Sequence, residues 1–82
     1  MPVNVAVYGL GPIGSLIAKK VLEREDLNLV AAFDIAPEKV GKDLGEVLQL
    51  GKKIGVLVEH DVNSETVLKN NNVDIVLHST ST

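Results

Sequence analysis

Gly9-Leu10-Gly11-Pro12-Ile13-Gly14 stands between a segment that reads as a strand and one that reads as a helix. Val3-Asn4-Val5-Ala6-Val7-Tyr8, before it, is short, β-branched and apolar on nearly both faces, as a strand covered on both sides would be. After it, from Pro12 to about Arg24, the apolar period becomes helical, with Ile13, Ile17 and Val21 spaced by four along one face. Pro12 suits the first helical turn, where its missing N–H costs nothing. A doubly covered strand that turns through glycines straight into a helix predicts helices on both sides of a parallel sheet.

The remaining chain repeats the alternation. Leu27 to Phe33 reads as a second strand ending at Asp34, and Ala36-Pro37-Glu38-Lys39-Val40-Gly41 as a polar turn. Glu38, Lys39, Lys42 and Asp43 read as a solvated mixed-charge loop. Asp43 to about Leu50 is a short helix, with Gly51 just past its end. Gly55 to Glu59 is a third strand, and Asn63 or Ser64 caps a helix reaching about Asn70, with Val67 and Leu68 inward. Asn70-Asn71-Asn72 tolerates a left-handed exit, and Val73 to His78 is the fourth strand.

The order βαβαβαβ with short connections implies right-handed crossovers in a four-stranded parallel sheet. In the dinucleotide-binding arrangement its spatial order is 3-2-1-4, an α/β, Rossmann-like half domain. Ser79-Thr80-Ser81-Thr82 follow directly on a buried-looking strand where a doubly wound domain would continue. Residues 1–82 are therefore expected to be one half of a larger doubly wound design. The fourth strand would then carry an open edge, a template for pairing with a second copy.

Composition narrows the function. A chain of 82 residues buries about 62% of its surface on folding, enough for a core with little margin. Tyr8 and Phe33 are the only aromatic residues, so there is little stacking material for single-stranded nucleic acid. The net charge of −3 argues against a phosphate-backbone binder. There is no Cys, hence no disulfide framework, thiolate zinc site or cysteine nucleophile. His60 and His78 have no Cys or carboxylate at ligand spacing, so no metal site is expected. No apolar run approaches the ~20 residues of a membrane span, and the first residues lack the basic start of a signal peptide. A cytoplasmic location is the default. No nucleophile or carboxylate pair converges on the glycines, so no catalytic residue is assigned.

The glycines follow G-x-G-x-x-G, and an acidic residue, Asp34, falls 20 positions after the last of them. Gly9 allows the tight turn, Gly11 lets a pyrophosphate approach the backbone, and Gly14 lets the helix pack on the sheet. The helix N-terminus offers unpaired N–H groups and partial positive charge to the phosphates. Asp34 suits the adenosine ribose and would repel a 2′-phosphate, which favours NAD over NADP. Lys39 tempers that preference. Ser79 and Thr80 fall at the carboxyl edge of the fourth strand, beside the crevice where such sheets bind ligands. The lesser alternatives are that the glycines serve the turn alone and that Asp34 is a turn or capping residue.

Val5 to Gly14, followed by Asp34-Ile35-Ala36-Pro37-Glu38-Lys39-Val40-Gly41-Lys42-Asp43-Leu44-Gly45-Glu46, resembles the start of the dihydrodipicolinate reductase superfamily. The likeness is strongest to its 2,4-diaminopentanoate dehydrogenase and amine dehydrogenase branch. The resemblance implies an N-terminal Rossmann domain for a nicotinamide cofactor and a second domain for substrate and oligomer contacts. It places Gly9, Gly11, Gly14 and the backbone of Pro12 and Ile13 on the pyrophosphate. Asp34 would hold the ribose, and Ser79 and Thr80 would lie towards the nicotinamide. The resemblance thus makes residues 1–82 a single truncated dinucleotide-binding domain without the substrate domain. The expectation is a cofactor-binding fragment of an amine or diamino acid dehydrogenase, inactive alone. The rival is a structural or engineered fragment that folds and self-associates without a significant ligand.

Overall fold

A computed structural model describes residues 2–60 and 63–79. The elements run β1 (Val3–Tyr8), α1 (Pro12–Leu22), β2 (Leu27–Asp34), α2 (Leu44–Val47), β3 (Val58–His60), α3 (Ser64–Asn70) and β4 (Ile75–His78). The four strands form one sheet in the order β3-β2-β1-β4, with every pairing parallel, as the alternation of elements predicts. Central β1 buries Val5, Ala6 and Val7 completely.

The sheet has two unequal faces. On one, Val5, Val7, Leu29, Ala32 and Val58 pack with Ala18 and Val21 of α1 and with Leu44 and Leu48 around α2. On the other, Ala6, Ala31 and Phe33 meet the half-buried Val67 and Leu68 of α3. The cap residue of α3 is Asn63, whose side chain makes no capping bond. Asn72 takes the left-handed exit, at φ 51°.

Strand β2 contains an irregularity. Val5 pairs with Leu29 but Ala6 with Ala31, so Val30 is an extra residue. Leu29 and Ala32 face the α1 side, whereas Val30, Ala31 and Phe33 pack on the α3 side. Two successive residues thus share a face, as a bulge requires.

Four boundaries and two residue placements differ from the sequence reading. Ile13 was expected on the inward face of α1 with Ile17 and Val21. Instead Gly14, Ala18 and Val21 are buried and Ile13 is 67% exposed. Because Gly14 faces the sheet, its neighbour, about 100° away around the helix, turns outward. Helix α1 stops at Leu22 instead of near Arg24, where the Arg24 guanidinium grips Asp26 at 2.8 and 2.7 Å in the following turn. Helix α2 ends at Val47, short of Leu50, because Gln49 adopts φ 57°. Strand β3 begins at Val58, not Gly55, since Gly55 has φ 83° and Leu57 bridges antiparallel to Asp43. Strand β4 begins at Ile75 instead of Val73. Asn4 and Asp74 exchange hydrogen bonds just before it, Asn4 N–H to Asp74 Oδ2 and Asp74 N–H to Asn4 O.

Asp43 is not a solvated loop residue. It is 7% exposed and accepts N–H groups from Gly45 at 2.8 Å and from Ile54 and Gly55 at 2.9 Å. One carboxylate therefore caps α2 and folds the 51–55 segment over it. The N–H groups of Ile54, Gly45 and Gly55 outweigh burial, and with the Lys53 charge they hold this carboxyl below the ordinary range. Because the folded value is depressed, its stabilisation is complete above about pH 4 and lost as pH falls through the folded value. Asp43→Ala strands three donors and should lower the calorimetric melting midpoint by roughly 10 °C at pH 7. The difference from the parent chain should shrink steadily below about pH 4.

Candidate functional site

The glycine loop joins β1 to α1. Gly9 takes φ 88°, which favours glycine, and its N–H donates to Phe33 O at 2.8 Å. A Cβ on Gly14 would collide with the carbonyl of Gly9 and with Ser79 Oγ, so α1 reaches β1 only because that atom is missing. Gly11 caps α1 in an extended conformation and has nothing within 4 Å of where a Cβ would sit. Its missing side chain leaves open space above the backbone.

The Leu10 backbone is saturated. Its N–H donates to Asp34 Oδ2 at 2.7 Å, and its carbonyl accepts Lys39 Nζ at 2.7 Å and Ser15 Oγ at 2.9 Å. The N–H groups of Gly11, Ile13 and Gly14, by contrast, have no acceptor among the described residues. Pro12 has no N–H to offer. Three open donors thus collect at the positive end of α1, as anion binding requires.

Asp34 ends β2 beside this loop. Its Oδ1 accepts Ile35 N–H at 2.7 Å and Ala36 N–H at 2.9 Å. Burial opposes ionisation, but the N–H groups of Ala36, Leu10 and Ile35 and the Lys39 charge prevail, and the carboxyl titrates below its ordinary range. It is ionised at neutral pH.

Gly9, Leu10, Gly11, Asp34, Ile35, Lys39 and Ser79 line one open depression of about 270 Å³. A larger one, about 410 Å³, lies between α1 and α2 and includes only Pro12 of the predicted residues. Of the three open donors, that of Gly11 lines the smaller depression, beside Asp34. Ser79 lies at this site, but its hydroxyl is 3.0 Å from Tyr8 O and 2.9 Å from Gly9 O, so it ties β4 to the loop from within. Thr80 lies outside the described residues. Phe33, Tyr8 and His78 stack in register across β2, β1 and β4, with ring centroids 4.6 and 4.7 Å apart.

Sequence reasoning weighed Lys39 only against a phosphate and gave Leu10 and Ser15 no part. A lysine five positions after the acidic residue was a visible signal, but its carbonyl partner depends on the turn geometry.

Residues 3–81 match the family model described as dihydrodipicolinate reductase, N-terminus. The chain belongs to this family. Its matched region is the dinucleotide-binding N-terminal part, with a Rossmann-like fold. It is 44% identical over 80 residues to a 4-hydroxy-tetrahydrodipicolinate reductase of Methanosarcina barkeri, covering 96% of this chain and 29% of that protein. A namesake from Methanococcus vannielii is 43% identical over 81 residues, covering 96% and 30%. The chain therefore spans under a third of the length of these curated relatives. Among solved structures, the amine dehydrogenase from Mycobacterium smegmatis matches with a TM-score of 0.81 and 34% identity, over 93% of this chain and 22% of that one. RSP in complex with β-NADH matches with a TM-score of 0.75 and 26% identity, over 96% and 34%.

The two glycines should respond oppositely to one methyl group. Gly14→Ala should cost about 2 kcal/mol by overpacking, read from urea denaturation. Gly11→Ala should stay within about 0.5 kcal/mol of the parent chain.

Proposed function

We propose that these residues bind the adenosine diphosphate portion of a nicotinamide dinucleotide, NAD in preference to NADP. The observation that carries this reading is the pairing of three open N–H donors at Gly11, Ile13 and Gly14 with an ionised carboxylate bonded to the same loop. The donors suit pyrophosphate oxygens, and Gly9, Gly11, Gly14 and the backbone of Pro12 and Ile13 form the cradle. Asp34 has about four lone-pair positions. Three already hold N–H groups, which leaves one on Oδ2 for a ribose hydroxyl. A 2′-phosphate in that place would meet the Asp34 charge, while the Lys39 ammonium is already engaged by Leu10 O. Ser79, which lines the depression, is the residue we assign to the nicotinamide side.

The bound dinucleotide supplies hydride chemistry, and the residues named here bind and orient it. We read the whole protein as an NAD(P)-dependent oxidoreductase acting at a carbon–nitrogen centre, as the names of its relatives suggest, and these 82 residues as inactive alone. A cytoplasmic setting suits a sequence that has no cysteine and so no disulfide to form.

Calorimetric titration of the chain with NAD⁺, NADH and NADP⁺ tests the site. Saturable heat that favours NAD over NADP by about tenfold and vanishes in Gly11→Val is expected. No heat up to millimolar ligand from a folded chain would leave the rival reading, a scaffold whose glycine loop shapes only the turn.

Self-association along β4 is the second part of the proposal. Among the described residues β4 pairs on one side only, and Ile75 is 44% exposed there, which fits an edge open to a second copy. Sedimentation should show a dimer that Ile75→Lys converts to monomer while the far-UV circular dichroism spectrum stays that of the parent chain. A parent chain that stays monomeric at all concentrations would refute the pairing.

A further inference from the structure

The glycine loop and the turn after β2 are joined by a side chain to which the dinucleotide reading gives no task. Lys39 reaches from that turn to Leu10 O at 2.7 Å, where Ser15 Oγ also donates at 2.9 Å. The turn that carries Lys39 is itself fixed. Asp34 Oδ1 holds the N–H groups of Ile35 and Ala36, and Ala36 O accepts those of Lys39 and Val40 at 3.0 and 3.1 Å. At its far end Gly41, φ 88°, donates to Val58 O at 2.8 Å. The contacts close a ring. Leu10 binds Asp34, Asp34 binds Ala36, Ala36 binds the Lys39 backbone, and the ammonium returns to Leu10.

The ring acts on one peptide unit. The carbonyl of Leu10 and the N–H of Gly11 belong to the same planar trans group, so fixing the direction of one fixes the other. With glycines on both sides of Leu10, at 9 and 11, this unit has more rotational freedom than an ordinary backbone allows. The Gly11 N–H is one of the three open donors. A charged donor on Leu10 O, stronger than a neutral one, therefore aims the Gly11 N–H at the space where a phosphate would lie.

We infer that Lys39 is a positioning residue whose ammonium, by holding the Leu10 carbonyl, orients the Leu10–Gly11 peptide for pyrophosphate binding and so serves dinucleotides with and without a 2′-phosphate alike. The inference rests on the dinucleotide reading of the site and names the side chain that shapes it in advance. It differs from recruitment of a 2′-phosphate by Lys39, for which the ammonium would have to leave the carbonyl and release the peptide.

The test uses the 82-residue chain with Lys39→Met and Lys39→Arg. Calorimetry with NADH and NADPH should show both weakened by about tenfold in Lys39→Met and largely restored in Lys39→Arg, which keeps a charged donor. Loss of NADPH binding alone, with NADH unchanged, would overturn the inference. Amide NMR of the ligand-free chain judges the lock separately. The Gly11 resonance should shift or broaden in Lys39→Met, and an unchanged resonance and exchange rate would overturn it. If the parent chain binds neither dinucleotide, the site reading fails while the Gly11 resonance still decides the lock.

Discussion

The closeness of α1 to β1 depends on an atom that is not there. A Cβ on Gly14 would occupy the space of the Gly9 carbonyl, so only a glycine lets the helix axis come this near the central strand. That approach turns Gly14, Ala18 and Val21 into the sheet and leaves Ile13 outside. It also brings the first helical turn beside the ends of β2 and β4, where Asp34 and Ser79 take hold of the loop. Packing and site are therefore one constraint. A side chain that loosened the helix would also disperse the donors gathered at its start.

Two aspartates use the same device for different ends. Asp34 and Asp43 each accept three backbone N–H groups, and in each the bonds outweigh the cost of burial so that the carboxyl stays ionised. Asp43 is enclosed and holds a short helix to its own loop. Asp34 lines an open depression and keeps acceptor capacity in reserve. What separates the structural carboxylate from the one proposed for binding is access and not charge or bond count. No list of acidic residues in the sequence shows that difference.

What could be read from the sequence was whatever depends on local chemistry. The strand, glycines and helix from Val3 to Leu22, the acidic end of β2 and the 3-2-1-4 order all follow from patterning and handedness. The left-handed exit at Asn72 follows from residue type. Features decided by tertiary contact were not legible. The burial of Asp43 depends on a segment eleven residues away that returns to it, and the task of Lys39 on a carbonyl 29 positions earlier. Ile13 had the right spacing for the core, but the stripe through Gly14 and Ala18 competed with it. Small residues signal burial weakly in any hydrophobicity pattern.

The extra residue in β2 has a consequence for parity. Side chains alternate along a strand with a period of two, so one added residue exchanges the faces of everything beyond it. Leu29 lies on the α1 side. Were the same residues to alternate regularly without the bulge, Phe33 would fall on that side too, and Asp34 would point towards α3, away from Leu10. The bulge instead returns Ala32 to the α1 side and Phe33 to the other, which brings the carboxylate to the glycine loop. Deleting Val30 together with the bulge would leave every later side chain on its present face. Straightening the strand with Val30 in place would instead carry the acid to the wrong side of the sheet. The number of residues in the strand and the presence of its bulge are thus fixed together, and neither can change alone.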